Sequence, residues 1–486
     1  VYERYEQFLS ESHALDFDDL LLKTVYLFQR NPEVLERYRN RYRHIQVDEF
    51  QDTNLVQYEL VKLLAGKYRN ICVVGDPDQS IYSWRGARVD NFAAFTRDFT
   101  GVKAIRLEQN YRSTPQILEI AARVIEKNDE RMAKTVWSAL PDGDKPRVVS
   151  FERDRDEAEW IAGELLDLQR KGYSLEDCAI FYRANWQSRI FEEALLSKNI
   201  PSQLVGSMRF YERREIRDLV AWLRLAVNPS DGSAFARAMQ APLRGVGEKS
   251  IASLVAYAEA HGMPVVQVCS QHAASLVRGK AKQEALGKIG NLVKNFAESA
   301  DPLSKRVARL AKDSGLMDFH SEEEERIENI QEFINSISDW EDHNPQGTAA
   351  EYLAEVSLLG QTDETSGGGK GVFLMTVHNA KGLEFDTVFT TGLEEGIFPH
   401  YLSIDDPARL QEERRLFYVA ATRAKKRLFL CHAASRYSFG REMNNEPSRF
   451  LDEFPPELVD WEEVDPKRST SSAHWKNRLS EEKRTR

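Results

Sequence analysis

The chain has 486 residues, 29% of them charged, and a formal net charge of −11. That length suits about three domains, and the acidic balance excludes a uniformly basic surface while leaving room for a locally positive groove. Cys72, Cys178, Cys269 and Cys431 lie far apart with no C-x-x-C pair, so neither a disulfide framework nor a cysteine zinc site is expected, and the cytoplasm is the expected compartment. No apolar run is long enough to span a bilayer. There is no signal-peptide pattern, and the opening Val1 is read as the start of a fragment.

Residues 1–30 are expected to be helical, with Tyr5, Phe8, Leu9, Leu20, Leu21 and Val25 at helical spacing. His44 to Val47 reads as a short buried strand, Asn54 to Ala65 as a helix, and Ile71 to Val74 as a second strand stopped by Gly75 and Pro77. Lys103 to Leu107 is expected to be a third strand. Pro115 to Lys127 is expected to be a helix opened by Ser113-Thr114-Pro115. The alternation implies an α/β domain with a parallel sheet. A second α/β pattern follows, with strands at Arg147 to Phe151, Cys178 to Tyr182 and Ser202 to Val205. From about Tyr211 to residue 360 helix follows helix, and strands return at Val372 to Thr376, Thr387 to Thr391 and Leu428 to His432. This pattern predicts a helical domain inserted into the second α/β domain. Gln361 to Gly371 is the expected re-entry linker, and the tail from Val464 is expected to be disordered.

Two strings carry most of the chemistry. In Val47-Asp48-Glu49-Phe50-Gln51-Asp52, two carboxylates end an apolar run, the usual place for catalytic groups in an open α/β sheet. Asp48 is suited to Mg2+, which takes hard oxygen ligands, and Glu49 to accepting a proton from an attacking water. Alone, the pair would read as acids in the first turn of a helix. In Val74 to Gly86, Gln79 follows a strand, and Tyr82, Trp84 and Arg85 offer flat or cationic groups for stacking on unpaired bases. Trp84, between Ser83 and Arg85, fits a core strand poorly.

Together these strings resemble motifs II and III of the superfamily 1A DNA helicases, the UvrD/PcrA/Rep group. Three further strings match in family order: Gln109-Asn110-Tyr111-Arg112-Ser113, Leu374 to Phe385 and Glu412 to Ala424. The resemblance runs from about His13 to Phe454, and within the family it points to the PcrA and UvrD branch. It implies two RecA-like parallel-sheet domains of the P-loop NTPase fold, the first incomplete, with the helical domain inserted in the second. The implied boundaries are 1–111 for the C-terminal part of domain 1A, 112–210 and 366–455 for the two parts of domain 2A, 211–365 for the inserted domain 2B, and 456–486 for a polar tail.

The resemblance also implies roles. Gln79 senses the γ-phosphate, Tyr111 stacks on adenine and Arg112 reaches the γ-phosphate. Glu384 touches the ribose, and Arg423 supplies a second arginine to the phosphates. Thr376 and His378 touch the DNA backbone, Phe439 stacks on a base, and Arg183 and Asn185 belong to a family block at the domain junction. Arg244-Gly245-Val246-Gly247 looks like a duplex-contacting hairpin, in which Gly245 and Gly247 leave backbone N–H groups open to a phosphate. Asn379 stands where family members commonly carry alanine. The implied activity is ATP- and Mg2+-dependent 3′-to-5′ unwinding of duplex DNA in repair, recombination or replication, acting on single strands and single/double-strand junctions.

No G-x-x-x-x-G-K-[ST] string occurs in the chain. Gly367-Gly368-Gly369-Lys370-Gly371 is a decoy, its lysine being followed by glycine. The chain alone is therefore expected to be inactive. The competing reading is a DNA-binding or regulatory module without catalysis.

Overall fold

Short β-branched runs become strands where a neighbouring run can pair with them. The computed structural model describes residues 2–88, 90–129, 131–132, 134–242, 244–361, 371–438 and 441–464. The chain divides into two compact units: Val1–Asp144 with Pro399–Arg423 and Asp452–Leu458, and Lys145–Phe398 with Ala424–Leu451 and Val459–Arg486.

In the first unit, β1 (Ile45–Val47) pairs in parallel with β2 (Ile71–Val73). The helix Leu55–Ala65 starts at a capping box: Asn54 accepts the Gln57 N–H at 2.9 Å and the Gln57 side chain accepts the Asn54 N–H at 2.9 Å. Phe50 is fully buried, edge-on to Tyr58, Phe92 and Phe95. The helix Pro115–Ile125 packs against the helix Pro407–Thr422.

Two expectations need correction here. Residues 1–30 form two helices, Tyr2–Glu11 and Phe17–Arg30, because Asp16 accepts the Asp19 N–H at 2.8 Å and starts the second afresh. Lys103 to Leu107 is not a strand. Ile105 and Leu107 are 72% and 82% exposed, and pairing begins only at β3 (Gln109–Asn110), against β4 (Trp137–Ser138). An apolar run without a partner edge has no ladder to join.

The second unit holds a large parallel sheet. Its strands are β5 (Arg147–Arg153), β6 (Cys178–Tyr182), β7 (Ser202–Leu204), β8 (Val372–Thr376), β9 (Phe385–Thr390), β10 (Ala424–Ser438), β11 (Arg441–Asn444) and β12 (Asp460–Glu463). The order β12-β5-β10-β9-β6-β8-β7 is parallel throughout, and β11 turns back antiparallel on β10. β6 is buried along its whole length, as a parallel strand covered on both faces must be. Between β7 and β8 the described chain is helical, from Arg214–Val227 to Ala349–Gln361, with its own core around Trp222, Phe235, Phe333 and Ile337. This is the α/β architecture with an inserted helical domain that the hydrophobic pattern predicts. Gln361 is the only linker residue described before Gly371, and the expected tail lies outside the described residues from 465 onward.

Ion pairs buried in this unit hold elements together. Arg436, on β10, pairs with Glu157 (Nη2···Oε2, 2.6 Å) and with Glu394 (Nη2···Oε1, 2.7 Å), and all three side chains are buried. Arg189 Nε donates to Glu332 Oε1 at 2.6 Å, tying the helix Ser188–Ser197 to the helix Glu324–His343. Among the described residues no helix is long and apolar enough to cross a membrane.

Candidate active site

The site is built on the carboxyl ends of β1 and β2. Past Val47 the backbone enters the left-handed region at Glu49 (φ 49°, ψ 41°), a conformation that costs a non-glycine residue roughly 1–2 kcal/mol. The turn sends Phe50 into the core and leaves Asp48 and Glu49 exposed. Asp48 Oδ1 accepts the Glu49 N–H at 2.9 Å. Two backbone bonds hold the two loops together: the Val74 N–H donates to Val47 O (2.8 Å) and the Phe50 N–H to Val74 O (2.9 Å).

Side chains extend this connection into a path. Gln51 Nε2 donates to Glu49 Oε2 at 2.5 Å, and the Asp76 N–H donates to Gln51 Oε1 at 2.9 Å. Gln79 Nε2 donates to Asp76 Oδ2 at 2.8 Å. Arg423, a buried residue at the end of the helix Pro407–Thr422, donates from Nη2 to Gln79 Oε1 at 3.2 Å and from Nε to Val419 O at 3.2 Å. Glu49, Gln79 and Arg423, three of the residues singled out from sequence, are thus joined inside one unit. Arg131 and Lys134 brace the path from the side: Arg131 Nε lies 3.0 Å from Asp78 Oδ2, and Lys134 pairs with Asp76 and Asp78.

Asp48 and Glu49 offer hard oxygens at a strand end. No group of three His, Cys, Asp or Glu able to hold a metal ion occurs among the described residues. This donor set suits a magnesium ion, which keeps waters and substrate oxygens in its shell and needs only one or two carboxylates from the protein.

Beyond Gln79 the chain makes the tight turn Ser83–Arg85, closed by Gly86 at φ 82°. Trp84 is 65% exposed, with the Arg85 guanidinium 4.4 Å from its ring centre and 5.4 Å from that of Tyr82. Burial, then the charges of Asp52 and Glu49, push the half-buried Tyr82 phenol up. A core cluster would hide the indole; here it faces outward. The Asn110 side chain accepts the N–H groups of Arg112 (2.8 Å) and Ser113 (2.9 Å), a turn that leaves Tyr111 77% exposed.

In the second unit, β6 and β8 are neighbours with Tyr182 opposite Thr376. Arg183 and Asn185 therefore share one edge of the sheet with Thr376 and His378. Thr376 Oγ1 accepts the Asn379 N–H at 3.4 Å, and Asn185 Nδ2 donates to Glu325 Oε1 at 2.8 Å. Glu384 lies at the other edge, before β9, paired with Lys425 at 2.9 Å. The departure Asn379 has a local reason: its Nδ2 donates to Val205 O at 3.1 Å, and a Cβ at Gly206 would lie 2.4 Å from it. Gly245 takes φ 69°, and Gly247 opens the helix Glu248–His261 with space around it. Arg244 grips the carbonyls of Ala238 and Pro242 beneath this turn. Phe439 lies outside the described residues, as do residues 367–370 of the glycine-rich decoy.

Sequence reasoning missed the parts played by Gln51, Asp76, Asn110, Arg131 and Lys134. The first three lie inside the quoted strings, where a polar side chain at a turn beside an apolar run was the available signal. Arg131 and Lys134 stand in an unpatterned polar stretch that gave none.

Comparison with known proteins bears on most of the chain. The UvrD-like helicase C-terminal domain matches residues 105–435, and the UvrD/REP helicase N-terminal domain matches residues 1–100. The ATP-dependent DNA helicase PcrA of Staphylococcus epidermidis (strain RP62A) is 42% identical over 474 residues, covering 95% of this chain and 64% of the relative. PcrA of Staphylococcus aureus (strain Mu50) is 42% identical over 471 residues with the same coverage. The chain thus spans 64% of the length of these curated relatives, a little under two thirds. A solved structure described as the C-terminal domain of a possible DNA helicase from Lactobacillus plantarum WCFS1 covers 72% of this chain and 98% of its own at 11% identity and a TM-score of 0.29, too slight a likeness to bear on the fold.

Proposed function

The chain belongs to the UvrD-like helicase family, and from that membership we propose that it works as the motor of an ATP-dependent DNA helicase moving 3′ to 5′ along one strand. The observation that carries this reading is the hydrogen-bonded path from Glu49 to Arg423 through Gln51, Asp76 and Gln79. A proton acceptor and an arginine joined through two glutamines and an aspartate suit phosphoryl transfer, where catalysis is mostly positioning and charge stabilisation.

In this reading Glu49 takes the proton of the attacking water. Asp48 holds magnesium, which when bound offsets the phosphate charge. Gln79 contacts the γ-phosphate, and Arg112 and Arg423 neutralise charge developing on the phosphoryl group. Tyr111 lies against adenine and Glu384 against the ribose. Tyr82, Trp84 and Arg85 stack on unpaired bases, a contribution of about 1–3 kcal/mol per base that tolerates any sequence. Thr376, His378, Arg183 and Asn185 contact the strand's backbone, Phe439 a base, and Gly245 and Gly247 a duplex phosphate. The domain division is proposed as 1–111, 112–210 with 366–455, and the insertion 211–365. Single strands and single/double-strand junctions are the proposed partners, and the bacterial cytosol the proposed location.

DNA-stimulated ATP hydrolysis tests the reading. It is measured on the 486-residue chain and on the same chain carrying an N-terminal G-x-x-x-x-G-K-[ST] segment. Hydrolysis that rises on adding single-stranded DNA in the segment-bearing form is the expected result. Silence in both forms would favour the non-catalytic DNA-binding module.

A further inference from the structure

We propose that Gln51 is a positioning residue: it aims the Glu49 carboxylate and ties that aim to the Gln79–Arg423 contact. This rests on the reading of Glu49 as the proton acceptor.

Gln51 is completely buried. A buried carboxamide must satisfy both its ends. This one does so in two directions, donating to Glu49 Oε2 at 2.5 Å and accepting the Asp76 N–H at 2.9 Å. Glu49 is exposed and stands on a left-handed backbone position, so polar neighbours rather than core packing set the direction of its carboxylate. The Gln51 amide fixes one of its oxygens, which biases where the other points.

The surroundings are shaped around this amide. A Cβ at Gly75 would lie 2.2 Å from Gln51 Oε1 and 3.0 Å from the Phe50 N. Glycine at that position lets the second loop come close enough for Asp76 to reach the amide. The Gln51 carbonyl also accepts the Ser80 hydroxyl at 3.2 Å, so the residue is held by its backbone as well. The links run in series. A shift of Gln79, on contacting phosphate or on releasing Arg423, pulls on Asp76 Oδ2 (2.8 Å) and reaches Glu49 through one rigid carboxamide. Misplacing a catalytic group by about 1 Å can cost on the order of 100-fold in rate, so a short relay has enough leverage to matter.

The alternative is a plain stitch between two loops. Gln51→Met separates the two, because it keeps the length and loses both hydrogen bonds. The first measurement uses the 486-residue chain with 15N-labelled glutamine side chains. The Gln51 amide signal, identified by its loss in Gln51→Met, is expected to move in Glu49→Ala; an unmoved signal overturns the proposal. The second uses whichever of the two forms described above hydrolyses ATP. Gln51→Met is expected to lower kcat about tenfold or more while KM for ATP stays within about twofold, with a thermal midpoint that falls for the two lost hydrogen bonds but stays above the assay temperature. A parental kcat, or a KM that changes in step with kcat, overturns the positioning role. Absence of DNA-stimulated hydrolysis in the parent would instead overturn the helicase reading, and the amide signal would still decide whether Gln51 grips Glu49.

Discussion

The two units handle their carboxylates in opposite ways. At the ends of β1 and β2, Asp48 and Glu49 are exposed, held by an N–H and an amide. In the second unit Glu157, Glu394 and Glu332 are buried against Arg436 and Arg189. Burial pushes Glu157 up despite Arg436 beside it. Burial alone would lower Arg436, yet Glu157 and Glu394 outweigh it and hold the guanidinium well above its usual range. The first set stands open to solvent. The second spends its charge on joining elements far apart in sequence. Substitutions should therefore separate: in one unit turnover falls while stability holds, and in the other stability changes while turnover holds.

The largest effect is expected at Glu49. In the form that hydrolyses ATP, Glu49→Gln should lower kcat by about 100-fold to 10,000-fold, the span of general-base contributions. Its thermal midpoint should match the parent, because the side chain is exposed. Normal turnover in that variant would remove Glu49 from its role and end the contrast. Next comes Arg436→Met, which strands Glu157 and Glu394 without their cation. Breaking a buried pair by removing one partner costs about 3–5 kcal/mol, to be read from the urea midpoint of the second unit. A loss below about 1 kcal/mol, the worth of a surface pair, would show that these acids are not structural.

Glu332 sharpens the comparison through pH. Burial pushes its carboxyl up to about 7 from an ordinary 4.5, although Arg189 and Asn335 donate to it; Asp154 pushes the same way as burial. Burial would lower Arg189, but Glu193 and Glu332 hold it well above its usual range, so it stays charged throughout. Between these two pH values the folded chain keeps a proton that the unfolded chain has released. The resulting stability is full below pH 4.5 and is lost as pH rises through about 7. Glu332→Gln should equal the parent near pH 5 and exceed it near pH 8, by on the order of 1–3 kcal/mol. Equal urea midpoints at both pH values would remove Glu332 as the source.

How much of this was legible depends on the range of the interaction. Cys178–Tyr182 and Val372–Thr376 end where the sequence reading placed their ends, because an apolar run bounded by polar residues reports its own burial. Asp48, Glu49 and Gln79 stood out because strand ends gather chemistry. Lys103 to Leu107 misled because its pattern said nothing of a partner edge. Arg436 with Glu157, and Arg131 with Asp78, were invisible for the same reason: periodicity reports which face is buried but not which charge waits there. The helix Pro407–Thr422 joins the first compact unit through its contact with Pro115–Ile125, a pairing that no local pattern encodes.

The smallest effect tests a departure rather than a match. Asn379 is the residue at which the motif resemblance expects alanine, and its amide reaches Val205 O at 3.1 Å across the gap that Gly206 leaves open. The bond joins the turn after β8 to the end of β7, at the sheet edge where Thr376 and His378 lie. One neutral hydrogen bond contributes about 0.5–1.5 kcal/mol, so Asn379→Ala should lower the urea midpoint of the second unit by that much. DNA affinity at fixed salt should stay within about twofold of the parent, because the turn keeps its Thr376 cap. A larger fall in DNA affinity than in stability would move Asn379 from the scaffold to the strand-contacting surface. That outcome would make the second unit, like the first, a place where a buried-looking amide positions a working group.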